Sequence, residues 1–312
     1  MSGDQSAPGE QSMPGDQSAP GDQRMSGERH ASGERHASGE RRPSGERRPS
    51  DLTGVDAAAA RDWVARWDRQ QEVYLADRED RFTALIDVVE EATGRPDPLV
   101  LDLGCGPGSL AVRLLRRLPS ATVIAVDADP VTLSLGRAAY ADLPGLRFHD
   151  VDLRSPDWPS RLGIGSGRPL DAIVSTTALH WLTAAELAHL YATLVGLLRP
   201  GGIFLDGDHL RQSDGERPVL ARLERALEER QSQRRFPDGH GEVEDWGQWW
   251  DAVAADPLLA AASAERDRRQ VRHHGQEGSQ LDVHAGALRA AGFAEIGTLW
   301  QWGANRLLCA VR

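Results

Sequence analysis

The stretch from Leu99 to Leu110, Leu-Val-Leu-Asp-Leu-Gly-Cys-Gly-Pro-Gly-Ser-Leu, constrains this chain more than any other. It begins as an apolar run interrupted by one acid, Asp102, the pattern of a strand buried on both faces. Three glycines follow at alternate positions, Gly104, Gly106 and Gly108. Leu110, Val112, Leu114, Leu115 and Leu118 then share one face of a helix. Strand, glycine turn and helix bring backbone without Cβ atoms beside the unpaired N–H groups of a helix start, so a ligand can lie directly on the main chain. A dinucleotide site needs G-x-G-x-x-G, and the position required for its last glycine is Ser109.

The alternation of strands and helices continues. Ala121 to Asp127 reads as a second buried strand ending in an acid 25 residues after Asp102, where nucleotide-binding α/β folds place an acceptor for ribose hydroxyls. Asp129-Pro130 is a helix start, an N-cap followed by proline at the first helical position. Leu146 to Leu153 is a third strand, carrying Asp150 and Asp152 near its end. Pro169 to Ser175 is a fourth, running into Thr176-Thr-Ala-Leu-His-Trp-Leu182. Leu187, Leu190, Leu194 and Leu197 mark a helix, then Arg199-Pro-Gly-Gly202 leads to a fifth strand, Ile203 to Leu205, with Asp206, Asp208 and His209 beyond it.

Around this core, residues 51–98 read as one or two cover helices, the first starting near Val55, with Trp63, Val64 and Trp67 and later Leu75, Arg78, Phe82, Leu85, Ile86 and Val89 on apolar stripes. Residues 211–280 are too long for a loop. Val219, Leu220, Leu223, Ala226 and Leu227 predict an amphipathic helix there, and Trp246, Trp249 and Trp250 precede another, so the segment reads as a helical lid. Asp282 to Ala291 is a helix closed by Gly292, and Phe293 to Trp302 and Asn305 to Val311 form an antiparallel hairpin turning at Gly303-Ala304. A dehydrogenase would continue with further βα units instead, and Ser109 already argues against one.

Residues 1–50 contain no Val, Ile, Leu, Phe, Trp, Tyr or Cys and repeat a glycine every sixth residue from Gly3 to Gly45, each followed by an acid. Such a segment buries too little apolar surface to order itself and reads as a disordered tail, with Met13 and Met25 as alternative starts inside it. The formal charge of −11 gives no basic footprint for a nucleic-acid partner. All 36 basic residues are Arg, a mark of genome composition rather than mechanism. Two cysteines, Cys105 and Cys309, no leader and no long apolar run predict a cytoplasmic protein without a membrane span.

The loop with Asp102 resembles motif I of the class I S-adenosylmethionine (SAM)-dependent methyltransferases. Asp127, the Thr-Thr-Ala-Leu-His-Trp segment and Arg199-Pro-Gly-Gly202 resemble that family's later motifs in the same order, and Leu153 with Trp158-Pro159 resembles its trans-aconitate-methyltransferase-like branch. The resemblance runs from about Trp63 to Leu210 and resumes near Asp282. It implies a Rossmann-like α/β fold, a mostly parallel seven-stranded sheet with a C-terminal antiparallel hairpin and a helical lid. It also implies SAM as cofactor, held by Asp102, Gly104, Cys105 and Gly106 in the loop, Asp127 and Ala128 at the ribose, Asp152 (or Asp150) and Leu153 at the adenine, Ser175, and Arg78 on the carboxylate. The implied reaction is methyl transfer to a small-molecule acceptor, a carboxylate, hydroxyl or similar group. Methylation of protein or RNA and SAM binding without catalysis are the alternatives. His180 is the candidate base or substrate contact, and Trp181, Asp208, His209, His273 and His274 are candidate substrate contacts. The flanks of Asp206, Asp208 and His209 are not those of the metal-dependent catechol type, so no metal is expected.

Overall fold

In the computed structural model, residues 54–75, 77–164, 168–236, 243–271 and 277–312 are described. Two helices open this part, α1 (Ala57–Tyr74) and α2 (Arg78–Thr93). The cap of α1 is Asp56, whose carboxylate accepts from the N–H groups of Ala58 and Ala59, so the helix begins two residues after Val55. A seven-stranded sheet follows, built from β1 (Leu99–Leu103), β2 (Thr122–Asp127), β3 (Leu146–Asp150), β4 (Leu170–Thr176), β5 (Leu198–His209), β6 (Glu295–Trp302) and β7 (Asn305–Val311). The strand order is β3-β2-β1-β4-β5-β7-β6. The first five strands are parallel, and β7 enters antiparallel between β5 and β6.

The connections are α3 (Ser109–Arg117), α4 (Pro130–Ala139), the short α5 (Trp158–Arg161), a 3-10 turn at Leu179–Trp181, and α6 (Ala184–Leu197). Three helices form the long insertion, α7 (Pro218–Arg235), α8 (Trp246–Ala255) and α9 (Ala260–Arg269), before α10 (Leu281–Ala291) leads into the final hairpin. The third strand stops at Asp150 rather than Leu153, because the chain turns at Asp152 through its own carboxylate, which accepts from the Arg154 N–H at 2.9 Å.

Two apolar layers cover the sheet. One packs α6 and α10, with Tyr191, Leu194 and Leu288, against Leu101, Ile173 and Phe204. The other packs α2 and α3, with Phe82, Leu85, Val89 and Leu114, against Val100, Val174 and Leu205. A third cluster, outside the sheet, joins α1 and α4 to α8 and α9 through Trp63, Val64, Leu135, Trp249 and Leu259. Among the described residues no helix is long and apolar enough to cross a membrane.

Candidate functional site

Parallel strands point their carboxyl ends at one edge, and in open α/β sheets ligands bind there. The glycine loop leaves β1 on that edge. Gly104, Gly106 and Gly108 all have positive φ, at 65°, 53° and 91°. At Gly104 the need for glycine is also spatial, since a Cβ would lie 2.3 Å from the Ala178 methyl of the turn after β4. Cys105 is buried, its N–H bonds Val126 O at 3.0 Å, and burial first, then the nearby acids, push its thiol well above the ordinary range. It is a small wall residue and not a nucleophile.

Asp102 is fully buried under the loop, and neither carboxyl oxygen has a hydrogen-bond partner. Burial, with the neighbouring Asp127 charge second, pushes it up to about 7. An acid stranded in this way suits a cationic group arriving from outside, such as the ammonium of an amino acid. Asp127 ends β2, half-buried, with one oxygen 2.7 Å from the Gly106 N–H and the other 2.8 Å from the Asp129 N–H. Burial raises it to about 6, so it is an ionised acceptor at neutral pH. Ala128 follows, its carbonyl accepting from Arg269 of α9 at 3.1 Å.

Farther along the edge, Asp152 holds Arg154 in a paired ionic contact with a shortest distance of 2.8 Å, and Leu153 packs at the margin of the core. Asp150, the competing acid, is engaged by Arg269 at 2.6 and 2.8 Å. Ser175 is buried at the end of β4 and donates to Leu103 O at 3.0 Å, tying β4 to the root of the glycine loop. Arg78 is buried beside the start of α3. It bonds Asp68 at 3.0 Å, which in turn accepts from the Ser109 hydroxyl at 2.6 Å, while its second terminal nitrogen makes no hydrogen bond. A buried cation with an unused donor at this point suits a carboxylate.

The candidate base and two of the candidate substrate contacts lie across β4 and β5. His180, in the 3-10 turn, places Nδ1 3.0 and 2.8 Å from the two oxygens of Asp208. Burial alone would lower the imidazole, but the charge of Asp208 and its hydrogen bond outweigh that and raise it. Asp208 is held well below the usual carboxylate range in spite of burial, by His180 and then Arg81. Asp208 is therefore ionised, and Nδ1 carries the proton donated to it. His209 donates its backbone N–H to the same carboxylate at 2.7 Å. Burial first, and then Arg81, lower its imidazole to about 4, so it is neutral. Trp181 is half-buried in the same turn, its ring centroid 6.3 Å from that of His180.

His273 and His274 lie outside the described residues. His284, fully buried, is spoken for on both nitrogens, by the Tyr191 hydroxyl at 2.6 Å and Gly278 O at 2.7 Å. Among the described residues no group of three or more His, Cys, Asp or Glu is arranged around a common point fit for a metal.

Two features escaped the sequence. Arg81 is fully buried behind the site, although a charge on a helix normally reads as solvent-facing. Its signal was its place among Arg78, Phe82, Leu85 and Val89 on the buried face of α2. The second is Trp67, whose indole lies 3.8 Å from where a Cβ on Gly106 would stand and packs on Trp246 and Trp249 of α8 at 5.4 and 5.0 Å. The tryptophans of the insertion thus back the wall of the glycine loop.

Residues 100–202 match a protein family described as a methyltransferase domain. A trans-aconitate 2-methyltransferase of Azoarcus sp. is 34% identical over 137 residues, 44% of this chain and 48% of that protein. One from Methylobacterium nodulans is 30% identical over 177 residues, 54% of this chain and 63% of its own length. The chain thus spans about half to under two thirds of the length of these curated relatives. Among solved structures, an O-methyltransferase family protein of Burkholderia thailandensis aligns with 78% of this chain and 58% of its own at 21% identity, with a TM-score of 0.47.

Proposed function

We propose that the chain is a class I SAM-dependent methyltransferase and that it transfers a methyl group from SAM to a small-molecule acceptor whose attacking atom gives up a proton, a hydroxyl or similar group. The observation that carries this reading is the His180–Asp208 pair on the carboxyl edge, in the turn that also presses Ala178 against Gly104.

The site fits the cofactor in its own chemistry. Arg78 has a terminal nitrogen without a hydrogen bond, 3.8 Å from Glu79, for a carboxylate, Asp102 two unused acceptors for an ammonium, and Asp127 an ionised carboxylate for ribose hydroxyls; Asp152 and Leu153 are the residues assigned to the adenine in this reading. When bound, SAM supplies a methyl on a sulfonium, ready for in-line displacement. The protein's work is then to hold the acceptor on that line and to keep water out. With Nδ1–H donated to Asp208, the lone pair of His180 sits on Nε2, in the tautomer that takes a proton from an acceptor hydroxyl. Asp208 both fixes this tautomer and stabilises the imidazolium that forms.

A second reading is favoured by the names of the relatives, which act on trans-aconitate. A carboxylate has no proton to lose, and His180, raised toward the charged form, would then hold the anion. The pH profile of kcat/KM separates the two. A base requires activity to rise with pH through the His180 value, and Asp208→Asn to move that limb to lower pH, with kcat reduced roughly 10²-fold or more. An anion contact gives the opposite limb, activity falling as the imidazolium is lost.

A further inference from the structure

We propose that Arg81 is the positioning residue of the acceptor side, holding the turn after β4 so that His180 meets Asp208. Its functional weight rests on the reading of His180 given above; its geometry does not. From the first turn of α2, the guanidinium reaches the carboxyl edge and ties three elements together. One terminal nitrogen donates to Asn305 Oδ1 of β7 at 2.7 Å, and the other donates to the hydroxyls of Thr176 and Thr177 at 2.8 and 3.2 Å.

Thr177 is the pivot of this turn. Its φ is 52°, in the left-handed region that a β-branched residue enters only when its surroundings hold it there. It is held from two sides, by its N–H on Gly207 O at 3.0 Å and by its hydroxyl on Arg81. That single bend sends the chain back so that Ala178 lands on Gly104 and His180 on Asp208. One residue thus couples the floor of the glycine loop to the acceptor pair.

Gly207 shows that the sequence makes room for this arginine. It stands between Asp206 and Asp208 on β5, and a Cβ there would meet Arg81 Nε, Cδ and Cγ at 3.0, 3.1 and 3.4 Å. The stem of Arg81 lies against the strand at a position without a side chain. Burial lowers Arg81 to about 10, so it stays charged, with Asp208 as the chief acid opposing the loss.

The test uses the full chain and a readout that needs no acceptor. The Nδ1 proton shared between His180 and Asp208 gives a downfield proton resonance, assigned by its loss in His180→Gln. In Arg81→Met the resonance is expected to broaden or vanish, and transfer of label from SAM into the small molecules of a host-cell extract to fall roughly tenfold or more. Arg81→Lys, which keeps the charge and loses the fork, gives an intermediate result. Adding Thr177→Gly to Arg81→Met restores part of the resonance, since glycine takes the left-handed bend unaided.

Should Arg81→Met fail to fold, Arg81→Gln, which keeps a polar tip and loses the fork, carries the same expectation. A folded Arg81→Met or Arg81→Gln protein with the resonance unchanged overturns the proposal. If the resonance is lost in Arg81→Met yet His180→Gln turns over normally, the positioning role stands and the base assignment fails.

Discussion

Asp206 and Asp208 are two residues apart on β5 and both fully buried, yet they hold protons in opposite ways. Asp208 has His180 and Arg81 and is ionised. Asp206 has no hydrogen-bond partner and stands 3.4 Å from a His284 already engaged on both nitrogens, so burial and then the Asp208 charge raise it well above the usual range. A carboxyl raised in the folded state favours folding at low pH, and that advantage is lost as pH climbs from its ordinary value toward the raised one. Over that window one such group changes stability by roughly 1.4 kcal/mol per pH unit. Asp206→Asn therefore gains stability over the parent as pH rises from 5 to 8 in thermal melts, while a constant difference across that range contradicts a protonated Asp206. At this scale the sequence disclosed positions better than partners. The places of Asp102, Asp127 and His180 at the carboxyl edge could be read because each lies at or near the end of a strand or just after one. That Arg81 lies beneath the site was not, because whether a helical arginine faces in or out depends on what packs over it.

The strands were legible as elements because both-face burial leaves continuous apolar runs, and β1, β2 and β4 show it. The order at the hairpin was less so, although a signal exists. Residues 307–310 are uniformly apolar and buried between two neighbours, whereas β6 carries exposed Glu295, Leu299 and Gln301 on the edge. The clearest departure is α7. The sequence reads an amphipathic helix there, and the helix forms, but Val219, Leu220, Leu223 and Leu227 of its apolar stripe are 59, 49, 45 and 41% exposed. The helix is instead fixed through its polar side, with Glu224 on Arg306 and Glu228 on Arg211. Periodicity finds the helix and cannot tell which face a buried arginine will claim. Helix α9 behaves differently, reaching the cofactor edge through Arg266 on Asp129 at 2.6 Å and Arg269 on Asp150 and Ala128 O. Partly exposed ion pairs of this kind are worth about 0.2–1 kcal/mol each. Arg269→Ala is expected to speed SAM release several-fold in stopped-flow fluorescence, with the excess over the parent shrinking at high salt; an unchanged release rate would remove α9 from the closing of that edge.

For the molecule as a whole, the sheet order with one antiparallel strand and the loop at its carboxyl edge carry the account, and both lie within residues 99–312. The hexapeptide tail adds seven Arg and eight acids and no apolar payload. Deleting residues 1–50 is expected to leave the melting temperature and turnover within error, and a large loss of either would give the tail a part in the folded protein. Methyl transfer to a small molecule is measured by incubating the protein with radiolabelled SAM and an extract of its host cell, then separating small molecules, protein and RNA. Label is expected in the small-molecule fraction, lost with His180→Gln and kept on deletion of the tail. Label in protein or RNA, or none at all from a protein that binds SAM tightly, would overturn small-molecule methylation as its activity.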